Sequence, residues 1–82
     1  MKLPETKEEE IDFLEHCFSH TITALNVNVK LRDKYNEIIN TLKDKEKQEE
    51  YKKKLEDVNK DIDYYQKSLD YINKRLEELE GE

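Results

Sequence analysis

The apolar residues of the second half of the chain recur at alternating spacings of four and three positions. They form one seam, the α2 seam, whose members are Tyr51, Leu55, Val58, Ile62, Tyr65, Leu69, Ile72, Leu76 and Leu79. This heptad pattern is typical of a coiled coil and places the side chains in one narrow stripe along an α-helix. Lys, Glu, Asp, Asn and Gln fill most of the other positions. We therefore predict a helix over 49–80 that packs against another helix through this stripe.

The first half of the chain carries two apolar seams. The first seam consists of Ile11, Leu14, Phe18, Ile22, Leu25 and Val29, and the second seam consists of Phe13, Cys17, His20, Ala24, Val27 and Leu31. On a helix these two seams lie on roughly opposite sides. A helix that is apolar nearly all round is normally buried, and one partner helix with one stripe covers only one side. We therefore expect residues 11–31 to be covered by a second copy of the chain or by another protein.

The sequence Thr6-Lys7-Glu8-Glu9 fits a capping box, so we predict a helix over 7–43 that follows a lead-in at 1–6. The segment 25–31 alternates apolar and polar residues, which is also typical of a strand. A lone strand needs a partner, and the sequence offers no second candidate. We therefore predict a helix here, with an irregularity near Asn26–Asn28.

The connection between the two helical segments is polar. Residues 43–50 contain no apolar side chain, and the heptad register slips by one position across them. These features predict a turn at 44–48 and an all-α antiparallel hairpin, which we expect to dimerise into a helical bundle. The alternative is one long continuous helix in a parallel coiled coil, because no glycine, proline or clear capping box marks the turn.

Composition narrows the class of protein. The 82 residues include one glycine and one proline, which leaves no glycine-rich loop for phosphate. The single Cys17 excludes an intrachain disulfide. A net charge of −6 argues against direct nucleic-acid binding. The chain shows no apolar secretory segment and no apolar run of membrane-spanning length, so we expect a cytoplasmic protein. High Lys, Asn and Ile with little Ala is typical of an AT-rich genome, such as that of a low-GC bacterium or a phage.

Candidate chemical sites are few. Asp12, His16 and His20 share one helix face at spacings of four residues and are weak candidates for metal ligands. A helix supplies only part of a ligand set, and ordinary histidines at a helix boundary explain the pattern more simply. Cys17 lacks the defined base and oxyanion site that a nucleophile needs. We therefore predict no enzyme, no cofactor, no metal and no small-molecule substrate.

The remaining signals indicate protein binding. Tyr64 and Tyr71 lie seven residues apart on one exposed stripe, and exposed tyrosines often anchor interfaces. The predicted interface residues are Phe13, Phe18, Ile22, Leu25, Val27, Val29, Leu31, Tyr64 and Tyr71. We interpret the chain as a small regulator or adaptor that self-associates and docks a partner through 11–31. One alternative is an acidic phage-type inhibitor of a host nucleic-acid-processing or defence enzyme, since a hairpin would bring the acidic segments 1–12 and 76–82 together. The other alternative is a structural scaffold component.

Overall fold

A computed structural model describes residues 4–81 and shows a two-helix antiparallel hairpin. Helix α1 spans Lys7–Thr41 and helix α2 spans Lys45–Glu80. The hairpin measures 57 × 25 × 14 Å. No strand occurs in the described part of the chain, which confirms the all-α hairpin, and the continuous-helix alternative is wrong. Part of the predicted lead-in, residues 1–3, and the final Glu82 lie outside the described residues.

The start of α1 follows the capping pattern in the sequence. The Oγ1 atom of Thr6 accepts a hydrogen bond from the backbone N–H of Glu9 at 3.1 Å. The Glu9 carboxylate accepts one from the backbone N–H of Glu5 at 3.3 Å. Side-chain oxygens thus satisfy amides at a helix end that lacks intrahelical partners. The acidic residues of the first turn also favour the positive end of the helix dipole.

Helix α1 continues without a break through the segment where an irregularity was predicted. Residues 25–31 are helical throughout, so the predicted irregularity near Asn26–Asn28 is wrong. The side-chain amide of Asn28 donates to the carbonyl oxygen of Ala24 at 2.8 Å, which keeps this polar group bonded to its own helix. In residues 25–31, the local preference of the side chains for an extended backbone is therefore outweighed by the free energy gained when an amphipathic helix packs on α2.

The turn lies at 42–44, whereas the polar gap placed it at 44–48. Asp44 begins α2 as its N-cap, and its carboxylate accepts from the backbone N–H of Glu46 at 2.9 Å. Gln48 lies in the first turns of α2, and its side-chain amide donates to the carbonyl oxygens of Leu42 at 2.6 Å and Ile39 at 3.3 Å. Asp44 therefore begins α2, while Gln48 satisfies carbonyl oxygens at the end of α1. The C-cap residue Leu42 has an extended backbone, so the turn does not require a glycine.

The core lies between the helices and is built from the first seam and the α2 seam. Its buried members are Leu14, Val58, Ile62, Ile72 and Leu79. Ile11, Phe18, Cys17 and Leu76 pack against the cluster of Leu14, Ile72 and Leu79. Complete burial of one such side chain stabilises a fold by about 1.5–3 kcal/mol. No position of the α2 seam is exposed, so α1 covers the whole stripe.

Two contacts between the helices show their alignment. Near the turn, the rings of Tyr35 and Tyr51 lie 5.8 Å apart between centroids. Near the open end, the Arg75 guanidinium binds the Glu10 carboxylate, with Nε 2.9 Å from Oε1 and Nη2 3.4 Å from Oε2. These pairs align the two helices along their length and bring Phe13 level with Tyr71. None of the helices between residues 4 and 81 is both long and apolar enough to cross a bilayer.

Candidate protein-interaction surface

The second seam of α1 is largely uncovered. Phe13 is 38%, Val27 59% and Leu31 36% exposed. Cys17 and Ala24 are half-buried, and His20 is exposed. Helix α2 covers mainly the first seam, on the opposite side of α1, and of the second seam Cys17 also packs against the core cluster. This agrees with the excess of apolar surface in the sequence. The covering of this seam by a second copy or by another protein stays a prediction.

A groove joins the second seam to α2. Its volume is about 570 Å³, and its floor is formed by the buried residues Leu14 and Ile72. The remaining residues lining it are Phe13, Cys17 and Thr21 of α1 and Tyr64, Lys67, Ser68 and Tyr71 of α2. Tyr64 and Tyr71 are 67% and 70% exposed, so most of each ring is accessible to another molecule. We call this feature the aromatic groove.

The small polar side chains of the aromatic groove bond to their own helices. The Thr21 hydroxyl donates to the carbonyl oxygen of Cys17 at 2.6 Å. The Ser68 hydroxyl donates to the carbonyl oxygen of Tyr64 at 2.9 Å. Each hydroxyl hydrogen is therefore used within its own helix. The surface of the groove is formed mainly by the Thr21 methyl group, the aromatic rings and the aliphatic side chains. The groove is therefore suited to apolar contact.

The orientation of Tyr64 is supported by its neighbour. The rings of Tyr64 and Tyr65 meet edge to face with centroids 5.7 Å apart. Because Tyr65 belongs to the α2 seam and is half-buried, it provides a fixed surface for the exposed ring. A ring that is already oriented loses less conformational freedom when a partner binds.

Two smaller hollows flank the ends of the second seam and carry opposite charges. The hollow at the N-terminal end has a volume of about 410 Å³ and includes Glu9 and Asp12 beside Phe13. The hollow at the C-terminal end has a volume of about 260 Å³ and is lined by Val27, Lys30, Leu31 and Lys34. The seam is thus an apolar stripe with carboxylates at one end and ammonium groups at the other.

The predicted interface residues divide into two groups in the structure. Phe13, Val27, Leu31, Tyr64 and Tyr71 are exposed on the second seam and the aromatic groove. Phe18, Ile22, Leu25 and Val29 belong to the first seam and are half-buried, and Phe18 packs against the core cluster. The accessible surface is therefore narrower than the whole of 11–31.

The candidate metal ligands do not come together as a ligand set. The Nδ1 atom of His16 lies 2.9 Å from the carbonyl oxygen of Asp12, and because a carbonyl only accepts, this nitrogen carries the hydrogen. Within residues 4–81 no three His, Cys, Asp or Glu side chains are placed to share a metal ion. His16, His20 and Asp12 instead border the acidic hollow beside Phe13.

Sequence reasoning identified both sides of the aromatic groove but not the groove itself. The sequence includes Phe13 and Tyr71 in one set of interface residues, but whether they lie side by side depends on where the chain turns. A turn at 44–48 would place Phe13 near the end of α2, whereas the observed turn brings it level with Tyr71. The signal that fixes this alignment is Asp44, an N-cap residue type that precedes the first turn of α2.

Comparison with known proteins adds no family to this description. No known protein family matches the chain, and no curated protein or solved structure is significantly similar to it. The fold and the surface define the chain as a small helical hairpin with one uncovered apolar face.

Proposed function

We propose that this protein is a non-catalytic protein-interaction module, a small regulator or adaptor that binds an apolar helical surface through its second seam and aromatic groove. The observation that carries the proposal is the contrast between the two sides of α1. The first seam packs on α2, while the second seam leaves Phe13, Val27 and Leu31 exposed. Contiguous apolar surface of this kind marks interaction sites in small proteins.

The aromatic groove supports the same role. Tyr64 and Tyr71 project beside the second seam with most of their surface accessible. Tyrosine has few rotatable bonds and offers a large amphipathic contact area, so it is enriched among the residues that dominate binding energy. The hydroxyls of Thr21 and Ser68 donate to their own backbones, which favours binding over catalysis in this groove.

The acidic-inhibitor alternative has weaker support. A nucleic-acid mimic needs an array of carboxylates whose charge is not neutralised by nearby cations. At the open end of the hairpin, Arg75 neutralises part of the charge of two carboxylates. Its guanidinium binds Glu10 at 2.9 Å and Glu78 at 3.1 Å. The scaffold alternative uses the same second seam as the interaction module and differs from it only in the number of copies assembled.

Site-specific photo-crosslinking in the cells that produce the protein tests the proposal. A photoreactive phenylalanine analogue at Val27 should give a crosslinked adduct, because this is the most exposed apolar side chain of the second seam. The matched control carries the same analogue at Asn59, which is exposed on α2 away from the aromatic groove.

An adduct formed at Val27 and absent at Asn59 supports an interaction module, whatever the mass of the captured chain. Equal labelling at both positions, or no adduct at either, contradicts it. Circular dichroism of both variants should show the helix content of the unmodified protein, which confirms that the analogue has not disturbed the hairpin.

A further inference from the structure

We propose that the occupant of the second seam is a second copy of this chain, paired through α1 in an antiparallel, twofold-symmetric homodimer. This inference rests on the proposed function, because it names the partner of the same surface. Three features of the chain carry it: the symmetry of the seam spacing, the distribution of charge along α1, and the position of the aromatic groove.

The spacing of the second seam reads the same from either end. Its gaps are four, three, four, three and four residues. In a twofold antiparallel pair, each residue meets a mirrored position of the other copy, so a symmetric spacing keeps every layer in register. Phe13 then lies opposite Leu31 of the second copy, Cys17 opposite Val27, and His20 opposite Ala24. The small Ala24 leaves room for the imidazole of His20 in the central layers.

The charges at the two ends of the seam select the same orientation. Glu9 and Asp12 border the N-terminal hollow, while Lys30 and Lys34 border the C-terminal one. Antiparallel pairing brings the carboxylates of each copy to the ammonium groups of the other at both ends. Parallel pairing would bring like charges together, which opposes association.

The charged residues also lie on matching sides of the helix. Asp12 and Lys30 are eighteen residues apart, which is about five helical turns, so both flank the same edge of the second seam. In an antiparallel pair, equivalent edges of the two helices face each other. Asp12 of one copy therefore lies beside Lys30 of the other, and the symmetry produces this contact twice.

The aromatic groove completes the contact. A helix lying on the second seam also lies beside Tyr64 and Tyr71, because these rings line the groove that Phe13 and Cys17 share. Each α1 then packs between α1 and α2 of the other copy. The result is a four-helix bundle in which the two exposed seams cover each other.

Disulfide trapping tests the register. In the proposed dimer the two Cys17 residues are offset by ten positions, about 15 Å along the helices, beyond the reach of a disulfide. Mild oxidation of the wild-type protein should therefore leave it uncrosslinked. Val27→Cys should give a covalent dimer joined between positions 17 and 27, identified by mass spectrometry of the linked peptides. Asn59→Cys is the matched control and should give no such product.

A charge-reversal series tests the orientation. Lys30→Glu should raise the dimer dissociation constant about tenfold, because two attractive contacts become repulsive. Asp12→Lys should weaken the dimer similarly, and the two changes together should restore it. Lys52→Glu makes the same change in net charge at an exposed position of α2, on the same side as Asn59 and away from the aromatic groove, and should leave the constant unchanged.

Sedimentation equilibrium of the purified chain separates this inference from the proposed function. A dimer that shows the 17–27 link and the charge rescue supports the homodimer. Any of three results overturns it. The first is a monomer at every accessible concentration, and the second is a Cys17–Cys17 disulfide in the wild type. The third is a yield of covalent dimer from Val27→Cys no higher than from Asn59→Cys. If Val27 nevertheless captures a different protein in cells, the interaction module stands and the homodimer fails. A monomer with no cellular adduct overturns both.

Discussion

Arg75 and Glu10 form an ion pair across the open end of the hairpin, although 65 positions separate them in the sequence. Two guanidinium nitrogens of Arg75 contact the two carboxylate oxygens of Glu10 at 2.9 and 3.4 Å. A third contact joins Arg75 to Glu78 within α2 at 3.1 Å. The hydrogen bonds from these carboxylates raise the pKa of Arg75 above its ordinary value. The pair holds the termini of the two helices together, away from the turn.

Removal of this pair should loosen the open end of the hairpin. We expect Arg75→Gln and Glu10→Gln each to lower the melting temperature by a few degrees, since both side chains are about one third exposed and the contact is partly screened. Lys74→Gln at the exposed neighbouring position is the control for loss of one positive charge.

The double variant Glu10→Gln with Arg75→Gln should cost less than the sum of the single changes, because both remove the same contact. Additive effects in thermal denaturation would contradict a direct pair. The contacts that raise the pKa of Arg75 require a charged guanidinium and ionised carboxylates, and on the alkaline side they are lost only above the ordinary pKa of arginine. The contribution of Arg75 to stability should therefore not vary between pH 5 and 9.

The turn offers a second test, because its stability depends on side chains of α2. Gln48→Ala removes the hydrogen bonds to the carbonyls of Leu42 and Ile39 and should lower the free energy of unfolding by about 1–2 kcal/mol. Asp44→Ala removes the N-cap and should cost about 1 kcal/mol. Urea denaturation followed by circular dichroism measures both changes, and Glu50→Ala at an exposed position is the control. A Gln48→Ala variant as stable as the control would show that these bonds do not hold the turn.

These features show how far the sequence alone leads. Heptad spacing predicts α2, and the two-seam pattern predicts that α1 keeps an uncovered side, because both depend on local periodicity. The observed turn at 42–44 lies a few residues before the predicted one at 44–48. The sequence does not reveal this difference, since the bonds from Gln48 to the end of α1 form only after the helices pack. The aromatic groove and the Glu10–Arg75 pair both depend on that alignment. They were therefore not predicted from the pattern of residues along either helix.

The metal question has a direct measurement. The sequence makes Asp12, His16 and His20 weak candidates, and His16 uses one ring nitrogen to donate to the Asp12 carbonyl. Structural zinc sites take four ligands, and a helix face with two histidines supplies too few. We expect calorimetric titration with zinc to give no saturable heat and thermal denaturation to be unchanged by the metal. Stoichiometric heat that disappears in His16→Ala would contradict this expectation.

The same substitution at two positions separates the core from the proposed interaction surface. Ile62 is 6% exposed in the α2 seam, and Val27 is 59% exposed in the second seam. Ile62→Asp should unfold the hairpin or lower its stability by about 3 kcal/mol or more, since an unpaired charge is placed in the core. Val27→Asp should keep the helix content, because aspartate and valine have similar helix propensities and the site is open to water. Its effect should appear in association, measured by sedimentation, while circular dichroism at low concentration stays like that of the wild type.

Undiminished helix content and an unchanged melting temperature in Ile62→Asp would refute the assignment of the α2 seam. An unfolded Val27→Asp variant would show that the second seam supports the fold of the single chain.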